Sequence, residues 1–328
     1  MLILGVGIIY ARLERRTTNG KSASCTRADL ISGRCGTIWG AVTDPNALAG
    51  MAGLQNRVGR QFDMTYRFHD IDDQIPTDDE RRAVRAGLIL HIDIAAQLFT
   101  DPQRPITWRE VASGAFDNDL LNQARGIASL GAPVFLTFDH EPDQAARRAR
   151  GTAADYVAAW RHIHALYARA GVTNVIWTWV VTGYPSSITT ASAMWPGNSY
   201  VDWIGWEAYN ASGCKSGYPT IRKSESFAAS VLPFYNWLHR DGPKHGVDIR
   251  KPMMISEAGS AVVDGGASLS AAWYRAIPGV LARIPEVRAI TLWDRPGHGA
   301  CHYRFDAQPA VVRAVTAAMS ATPHTRTR

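Results

Sequence analysis

The sequence lacks the patterns that define several large functional classes. Its 328 residues contain only four cysteines, which form no CxxC pair and have no spacing typical of metal ligands. No lysine- or arginine-rich run is interleaved with aromatic residues, and acidic residues are scattered throughout. The sequence therefore predicts no nucleic-acid partner, and we expect neither a metal nor a cofactor.

Long apolar runs are also missing. Residues 1–10 are almost wholly apolar and are followed by arginines, but this run is too short to cross a bilayer and has no basic segment before it. It is interpreted as the tail of an export signal, an anchor or a misplaced start. We expect a secreted or cell-surface protein without a stable membrane span. Residues 1–35 are predicted to be an apolar segment and linker, ahead of one domain over 36–328.

The overall composition is that of a globular protein with a mildly basic surface. Hydrophobic residues make up 46% of the chain and charged residues 20%, and the net charge is +6. An acidic substrate is the less favoured explanation of this charge. The 11 tryptophans exceed what a core usually needs, and half-exposed tryptophan commonly marks sugar stacking or a partner surface.

The chain is organised around residues 132–143, which read APVFLTFDHEPD. An apolar, β-branched and aromatic run of this length predicts a strand buried on both faces. Pro142 cannot donate to a sheet ladder, so we expect the strand to end just after Glu141. The ionisable residues are then held at the C-terminal tip of a buried strand, where α/β barrels and open α/β sheets carry out chemistry.

Strand-like and helix-like stretches alternate from residue 36 onward. The predicted strands span 36–42, 62–69, 88–94, 132–139, 174–180, 201–206, 252–256 and 288–293. Eight β/α units without a break in composition predict a single (β/α)8 TIM barrel with a short N-terminal extension. A doubly wound sheet is the alternative, but it would need a glycine-rich phosphate turn where this chain has WGAVTDP.

Two glutamates follow predicted strands. Glu141 follows the fourth strand, and Glu257 follows the seventh, in the segment KPMMISEAG. Retaining glycoside hydrolysis requires two carboxyl groups facing one another, because one attacks the anomeric carbon while the other protonates the leaving oxygen. A lone glutamate at a strand end is most often a solvated or salt-bridged residue, but the pair is a much more specific signal.

Five segments in order resemble glycoside hydrolase family 26, a family of (β/α)8 retaining glycosidases. They are FDHEPD, VIWTWVVTGYPSS, WPGNSYVDWIGWEAYN, KPMMISEAGS and AITLWD, and the similarity covers most of residues 36–320. The resemblance implies a retaining glycoside hydrolase that cleaves a β-linked polysaccharide by double displacement. Because β-mannanases dominate the family, an endo-β-1,4-mannanase-like activity is the first expectation.

The same resemblance implies roles for five residues. Glu141 matches the acid/base, and Glu257 matches the nucleophile. His140 matches a substrate-binding histidine, Tyr209 the tyrosine that hydrogen-bonds the nucleophile, and Trp293 the aromatic floor under the sugar. Each of these last three could instead be an ordinary structural residue. Further candidates for sugar contact at predicted strand tips are His69, Asp93, Trp179, Trp206, Glu207 and Asp294.

Two departures from the family pattern leave the substrate open. The mannanases carry an aromatic-rich segment after the His-Glu pair, whereas residues 142–148 of this chain contain no aromatic residue. They also carry an arginine shortly before the pair, where this chain has TFD. A β-glucan, a β-1,3-xylan or a cell-envelope polysaccharide are alternative substrates, and a non-catalytic carbohydrate-binding barrel is the alternative to an enzyme. We expect a monomer whose partner is a polysaccharide or oligosaccharide.

The cysteines are predicted to form two disulfides. Cys214 and Cys301 follow the sixth and eighth predicted strands, so both belong on the face of the barrel that carries Glu257. Cys25 and Cys35 would pair locally near the first strand. Four free thiols are the alternative, because the export signal is incomplete.

Overall fold

Eight parallel strands close into a barrel in chain order, which confirms the predicted (β/α)8 fold. The computed structural model describes residues 25–98, 100–101, 104, 106–214, 223–262, 266–297 and 301–322, so the apolar run at residues 1–10 lies outside the described part. The strands are β1 Ile38–Val42, β2 Met64–Asp70, β3 Ile89–Ala95, β4 Val134–Phe138, β5 Val175–Val181, β6 Trp203–Asn210, β7 Met253–Ser260 and β8 Val287–Trp293.

Helices cover the outside of this barrel. They are α1 Arg27–Ile31, α2 Leu48–Val58, α3 Asp78–Arg85, α4 Trp108–Ala112, α5 Asp117–Ser129, α6 Ala153–Arg169, α7 Ile188–Ala193, α8 Phe227–Asp241, α9 Ala267–Arg275, α10 Ile277–Leu281 and α11 Pro309–Ala321. Several begin at a threonine capping box, in which the threonine and an acidic residue three positions later satisfy each other's backbone N–H groups. No helix in the described ranges is long and apolar enough to cross a membrane.

The floor of the barrel is filled by one inward-facing side chain from each strand. The layer consists of Ile38, Met64, Ile89, Phe135, Ile176, Trp203, Met254 and Ala289, all buried in one cluster. Helix α1 closes the floor from below, because Leu30 belongs to the same cluster and its carbonyl oxygen accepts a 3.0 Å hydrogen bond from Trp203 Nε1. Part of the stretch predicted as a linker is therefore packed against the barrel.

Strands β6 and β7 are longer than the sequence predicted. Tyr209 lies within β6 and Glu257 within β7, whereas we expected both residues to follow their strands. The difference arises because polar residues near the cavity continue the ladder: Glu207 pairs with Glu257, and the pairing runs on to Asn210. Rigid strands rather than loops thus carry both side chains.

Both predicted disulfides are confirmed. The Cα atoms are 5.6 Å apart in Cys25–Cys35 and 5.1 Å apart in Cys214–Cys301, within the range that a disulfide requires. The first bond ties α1 to the barrel floor. The second joins the segments that follow β6 and β8, on either side of β7.

Candidate active site

A cavity of about 1440 Å³ opens at the carboxyl ends of the strands. Side chains from six strands or the turns that follow them line it: Phe68, Asp93, Glu141, Glu207, Glu257 and Trp293. Side-chain alternation explains Phe68, Asp93, Glu207 and Trp293, each four positions beyond the inward-facing residue of its strand in the floor layer. Glu257 follows a register shift in β7, and Glu141 lies in the turn after β4. Four of these six side chains are carboxylates, which makes the cavity floor acidic.

The turn after β4 holds an unusual backbone conformation. Asp139 and Glu141 have φ angles of 50° and 53°, which non-glycine residues rarely adopt, and Pro142 follows them. The Asp139 carboxylate is fully buried and accepts hydrogen bonds from Trp108 Nε1 at 2.6 Å and from the Arg150 guanidinium. These bonds hold the turn, and the turn directs Glu141 into the cavity.

His140 is fixed by Asp93 on the neighbouring strand. The His140 backbone N–H donates to Asp93 Oδ1 at 3.0 Å, and the ring Nδ1 donates to Asp93 Oδ2 at 2.8 Å. Burial lowers the pKa of His140, but the attraction and hydrogen bond of Asp93, with Glu141 and Glu257 nearby, outweigh it and raise the pKa to about 9. The imidazole is therefore protonated at neutral pH. Its Nε2 lies 4.0 Å from Glu141 Oε2.

Glu141 lies on the cavity wall with 7% of its surface exposed. Its backbone N–H donates to the Val180 carbonyl oxygen at 3.1 Å, which anchors the turn to β5. The Gln144 side-chain amide donates to Glu141 Oε2 and fixes one carboxylate oxygen. The Glu141 carboxyl group also hydrogen-bonds that of Glu207.

Glu257 is held by Tyr209. The Tyr209 hydroxyl donates to Glu257 Oε2 at 2.6 Å, while Glu257 Oε1 is buried without a hydrogen-bond partner among the described residues. The β6–β7 register shifts between Trp206 and Glu207, and such a bulge re-aims the side chains beside it. Burial raises the pKa of Glu257 above its ordinary value, while the positive charge of His140 and the Tyr209 hydroxyl act in the opposite direction.

Glu207 contributes a third carboxyl group. It is 5% exposed, lies opposite Glu257 in the strand register, and its Oε1 has no hydrogen-bond partner among the described residues. Burial and the nearby charges of Glu141 and Glu257 raise the pKa of Glu207 well above that of an ordinary glutamate. Glu207 therefore retains its proton more readily than an exposed carboxyl group.

Three potential ligand atoms for a cation come together here. One atom each from His140, Glu141 and Glu207 lies within 4.8 Å of the others. Protonated His140 offers these two carboxyl groups a hydrogen-bond donor.

Two of the remaining predicted contact residues, Trp293 and His69, line the cavity. Trp293 lines the cavity at the end of β8, half-buried and 6.0 Å from the Phe68 ring centroid. His69 also lines the cavity, but its ring nitrogens already contact Asp73 at 3.1 Å and Glu80 at 2.6 Å.

The structure does not bring Trp179 and Trp206 to the cavity. Both are fully buried in the layer between strands and helices, where Trp179 packs against Trp195 and Trp206 against Phe234 of α8. Asp294 is likewise absent from the cavity wall, and its carboxylate accepts a hydrogen bond from the Asp306 backbone at 3.1 Å. These three side chains pack or form hydrogen bonds away from the cavity, so the prediction that they contact a sugar there is not supported.

The arrangement can perform two kinds of chemistry. Glu257 Oε1 has no hydrogen-bond partner in the described ranges, Tyr209 holds the other oxygen in place, and the carboxylate can act as a nucleophile. Glu141 can transfer a proton to or from a group bound in the cavity. Protonated His140 can donate a hydrogen bond to the same bound group or to Glu141.

No family model matches the chain, and no curated protein matches it. Among solved structures, the GH26 β-mannanase of Bacteroides ovatus is similar at 14% identity over 90% of this chain and 92% of that one, with a TM-score of 0.61. A family 39 glycoside hydrolase from the gut symbiont Bacteroides cellulosilyticus WH2 has 12% identity, coverage of 89% and 65%, and a TM-score of 0.59. A family 5 xyloglucanase from Paenibacillus pabuli has 12% identity, coverage of 88% and 99%, and a TM-score of 0.54. These similarities establish a shared barrel fold.

Proposed function

We propose that this protein is a retaining glycoside hydrolase that cleaves a β-linked polysaccharide. The observation that carries the proposal is the pair of buried carboxyl groups, Glu141 and Glu257, on the wall of one cavity at the carboxyl ends of the barrel strands. The fold is shared with glycoside hydrolases of several families, which favours this chemistry over others that use paired carboxylates.

In the first step, Glu257 acts as the nucleophile. Its Oε1 attacks the anomeric carbon, the bond from that carbon to the glycosidic oxygen breaks, and Glu141 gives its proton to the departing oxygen. Tyr209 holds the other carboxylate oxygen of Glu257, whose side chain lines the cavity. The product of this step is a glycosyl ester on Glu257.

In the second step, Glu141 acts as a base. It removes a proton from water, the oxygen attacks the anomeric carbon from the face opposite the ester, and the Glu257 carboxylate is released. Two inversions at the same carbon retain the β-configuration. His140 and Trp293 bind the sugar, the first through its Nε2–H and the second through its ring face.

A mannan-like polymer is the first candidate substrate. The likeness to the B. ovatus β-mannanase covers nearly all of both chains and supports this choice. Another glycan is the second candidate, because the segment after the His-Glu pair contributes Gln144 and Arg147 to the cavity instead of aromatic rings. The two disulfides fit an extracellular protein, and we propose that it acts as a secreted monomer.

The test is a screen of the purified protein on β-linked mannan, glucan, xylan and cell-envelope polysaccharides with sizing of the products. Internal cleavage of one polymer to oligosaccharides whose new reducing ends first appear as the β-anomer is the expected result. First appearance of the α-anomer would contradict retention. Binding without cleavage of any polymer would favour a carbohydrate-binding barrel.

Replacing Tyr209 with phenylalanine should move the acidic limb of the kcat/KM profile to higher pH. Glu257 must be ionised to attack, and the Tyr209 hydroxyl lowers the pKa of Glu257 by hydrogen-bonding its carboxylate. Removing that hydrogen bond, worth about 1.5–3 kcal/mol at a charged group, should raise the Glu257 pKa and move the acidic limb by about 1–2 pH units. The measurement is kcat/KM from pH 4 to 9 on a soluble oligosaccharide.

Tyr200→Phe is the matched control, because Tyr200 is a half-buried tyrosine that does not line the cavity. Its acidic limb should coincide with that of the wild type. An acidic limb that also stays in place in Tyr209→Phe would assign the activation of the nucleophile to another group.

A further inference from the structure

Two arginines lie on the cavity wall without a carboxylate partner. Arg147 belongs to the segment that follows β4, and Arg295 comes directly after β8. Both are half-buried, and neither forms an ion pair within the part of the chain that the structure describes. Because β4 and β8 lie on opposite sides of the eight-strand ring, the two positive charges flank the acidic floor.

Each arginine can still bind an anionic group. Arg147 Nε is buried and has no hydrogen-bond partner among the described residues, which is costly unless a ligand supplies an acceptor. The Arg295 guanidinium carbon lies 5.8 Å from the Trp293 ring centroid, a cation–π contact that directs this charge over the aromatic platform. Lys223 also lines the cavity, but it is exposed and Glu225 lies beside it on the same wall. Protonated His140 lies there too, with its charge paired to Asp93.

The acidic part of the cavity disfavours a bound anionic group, whereas the two sides that carry Arg147 and Arg295 favour one. Glu257, which must be ionised to attack, would repel an anionic group bound directly above it. An anionic group on a neighbouring sugar would instead meet Arg147 or Arg295. The planar guanidinium group binds carboxylate and similar oxyanions through two parallel hydrogen bonds.

We propose that the cleft binds a glycan whose sugars carry anionic groups, either carboxylates or sulfate esters, on both sides of the cleaved linkage. Arg147 and Arg295 bind these groups. This inference rests on the hydrolase function proposed above, and it specifies the substrate class as an acidic polysaccharide.

The test measures binding to the full chain carrying Glu257→Ala, so that no probe is consumed. The probes are a β-1,4-manno-oligosaccharide, the β-1,4-mannuronate oligosaccharide of the same length and an O-sulfated manno-oligosaccharide, together with the corresponding β-1,4-gluco-series. The neutral and uronate probes of each series differ only at C6. Calorimetry at low and at physiological salt should give at least tenfold tighter binding of one class of anionic probe, with a larger preference at low salt.

Arg147→Gln and Arg295→Gln, added singly, should each weaken binding of the anionic probe by about tenfold, which corresponds to one charged hydrogen-bonded contact. Binding of the neutral probe should change less than about twofold. The matched control is Arg148→Gln, which removes an exposed arginine outside the cavity and should leave both affinities unchanged. Thermal unfolding of each variant separates loss of binding from loss of folding.

The outcomes are distinct. Arginine-dependent preference for the uronate probe or for the sulfated probe supports the inference and identifies the anion. Equal or tighter binding of neutral probes in both series, or an anionic preference that survives in Arg147→Gln/Arg295→Gln, overturns it. Wild-type cleavage of a neutral probe without any anionic preference would leave the hydrolase proposal standing. Arginine-dependent binding without cleavage of any probe would support the binding site and count against the hydrolase.

Discussion

Replacing Glu257 with alanine should lower kcat by about 10⁴-fold or more on any glycan that the wild-type protein cleaves. Removal of the nucleophile leaves only substrate binding and the positioned acid, and losses of this size are typical when a covalent catalyst is deleted. Initial rates of reducing-end formation measure the effect. Affinity for the substrate should be largely retained, because the Glu257 carboxylate is buried at the floor of the cavity.

Glu225→Ala is the matched control for this loss, since it removes an exposed carboxylate that lines the same cavity. It should retain most of the activity. Added azide should restore turnover of an activated aryl β-glycoside by Glu257→Ala, because the small anion fits where the carboxylate was removed. The product should be the α-glycosyl azide, after a single inversion. A Glu257→Ala variant that keeps a tenth or more of the wild-type rate would contradict the nucleophile assignment.

Replacing Glu141 with alanine should lower the rate on a polysaccharide by about 10²–10⁴-fold, the usual contribution of general acid–base catalysis. The loss should depend on the leaving group. An alkoxide leaving from a sugar needs a proton, whereas a nitrophenolate does not. The formation of the glycosyl ester from a dinitrophenyl β-glycoside should therefore be nearly normal in this variant, while its hydrolysis becomes slow.

Mass spectrometry of the Glu141→Ala variant mixed with that aryl glycoside should detect the accumulated ester on Glu257. Gln144→Leu provides a graded comparison, because it removes only the amide that donates to Glu141 Oε2. A Glu141→Ala variant in which ester formation slows equally on both kinds of substrate would assign the acid to another residue, with Glu207 as the next candidate.

The sequence was sufficient to predict the barrel, both disulfides, the strand that precedes Glu141 and the strand of Glu257. These features depend on local signals: apolar runs of strand length, prolines and glycines between them, and carboxylates at the strand tips. The roles assigned to the two glutamates remain predictions. Strand ends were less accurate. The prediction that the fourth strand ends just after Glu141 was wrong, because β4 ends at Phe138 and the chain turns at Asp139. Polar residues also continue β6 and β7 beyond the apolar runs.

Counting alternation along each strand would have improved the prediction of the contact residues. In β6, Trp203 points to the floor, so Glu207 and Tyr209 also face inward and Trp206 faces the helices. Glu207 could thus have been ranked above Trp206 from the sequence. The same alternation does not predict the direction of Glu257 in β7, because the ladder shifts register near this residue. No local sequence pattern predicts that bulge.

Other parts of the site depend on contacts between segments distant in sequence. The turn that holds Asp139 and Glu141 is stabilised by Trp108 at the start of α4 and by Arg150 in the segment before α6. Histidine is a residue type that often contacts sugars, but both ring nitrogens of His69 contact carboxylates, one from the following turn and one from α3. Such partners become neighbours only when the barrel closes, and residue type alone does not predict them.

The position of α1 under the barrel determines how the protein could be attached to something larger. Leu30 seals the floor, at the amino ends of the strands, and α11 follows β8 and runs back toward the same end. Both ends of the described chain therefore depart from the side opposite the cleft. A surface tether, an additional module or a fluorescent reporter fused at either end would leave the cleft facing outward, accessible to a long polymer. A fusion should begin before Cys25, because a later start would remove the floor seal and its disulfide.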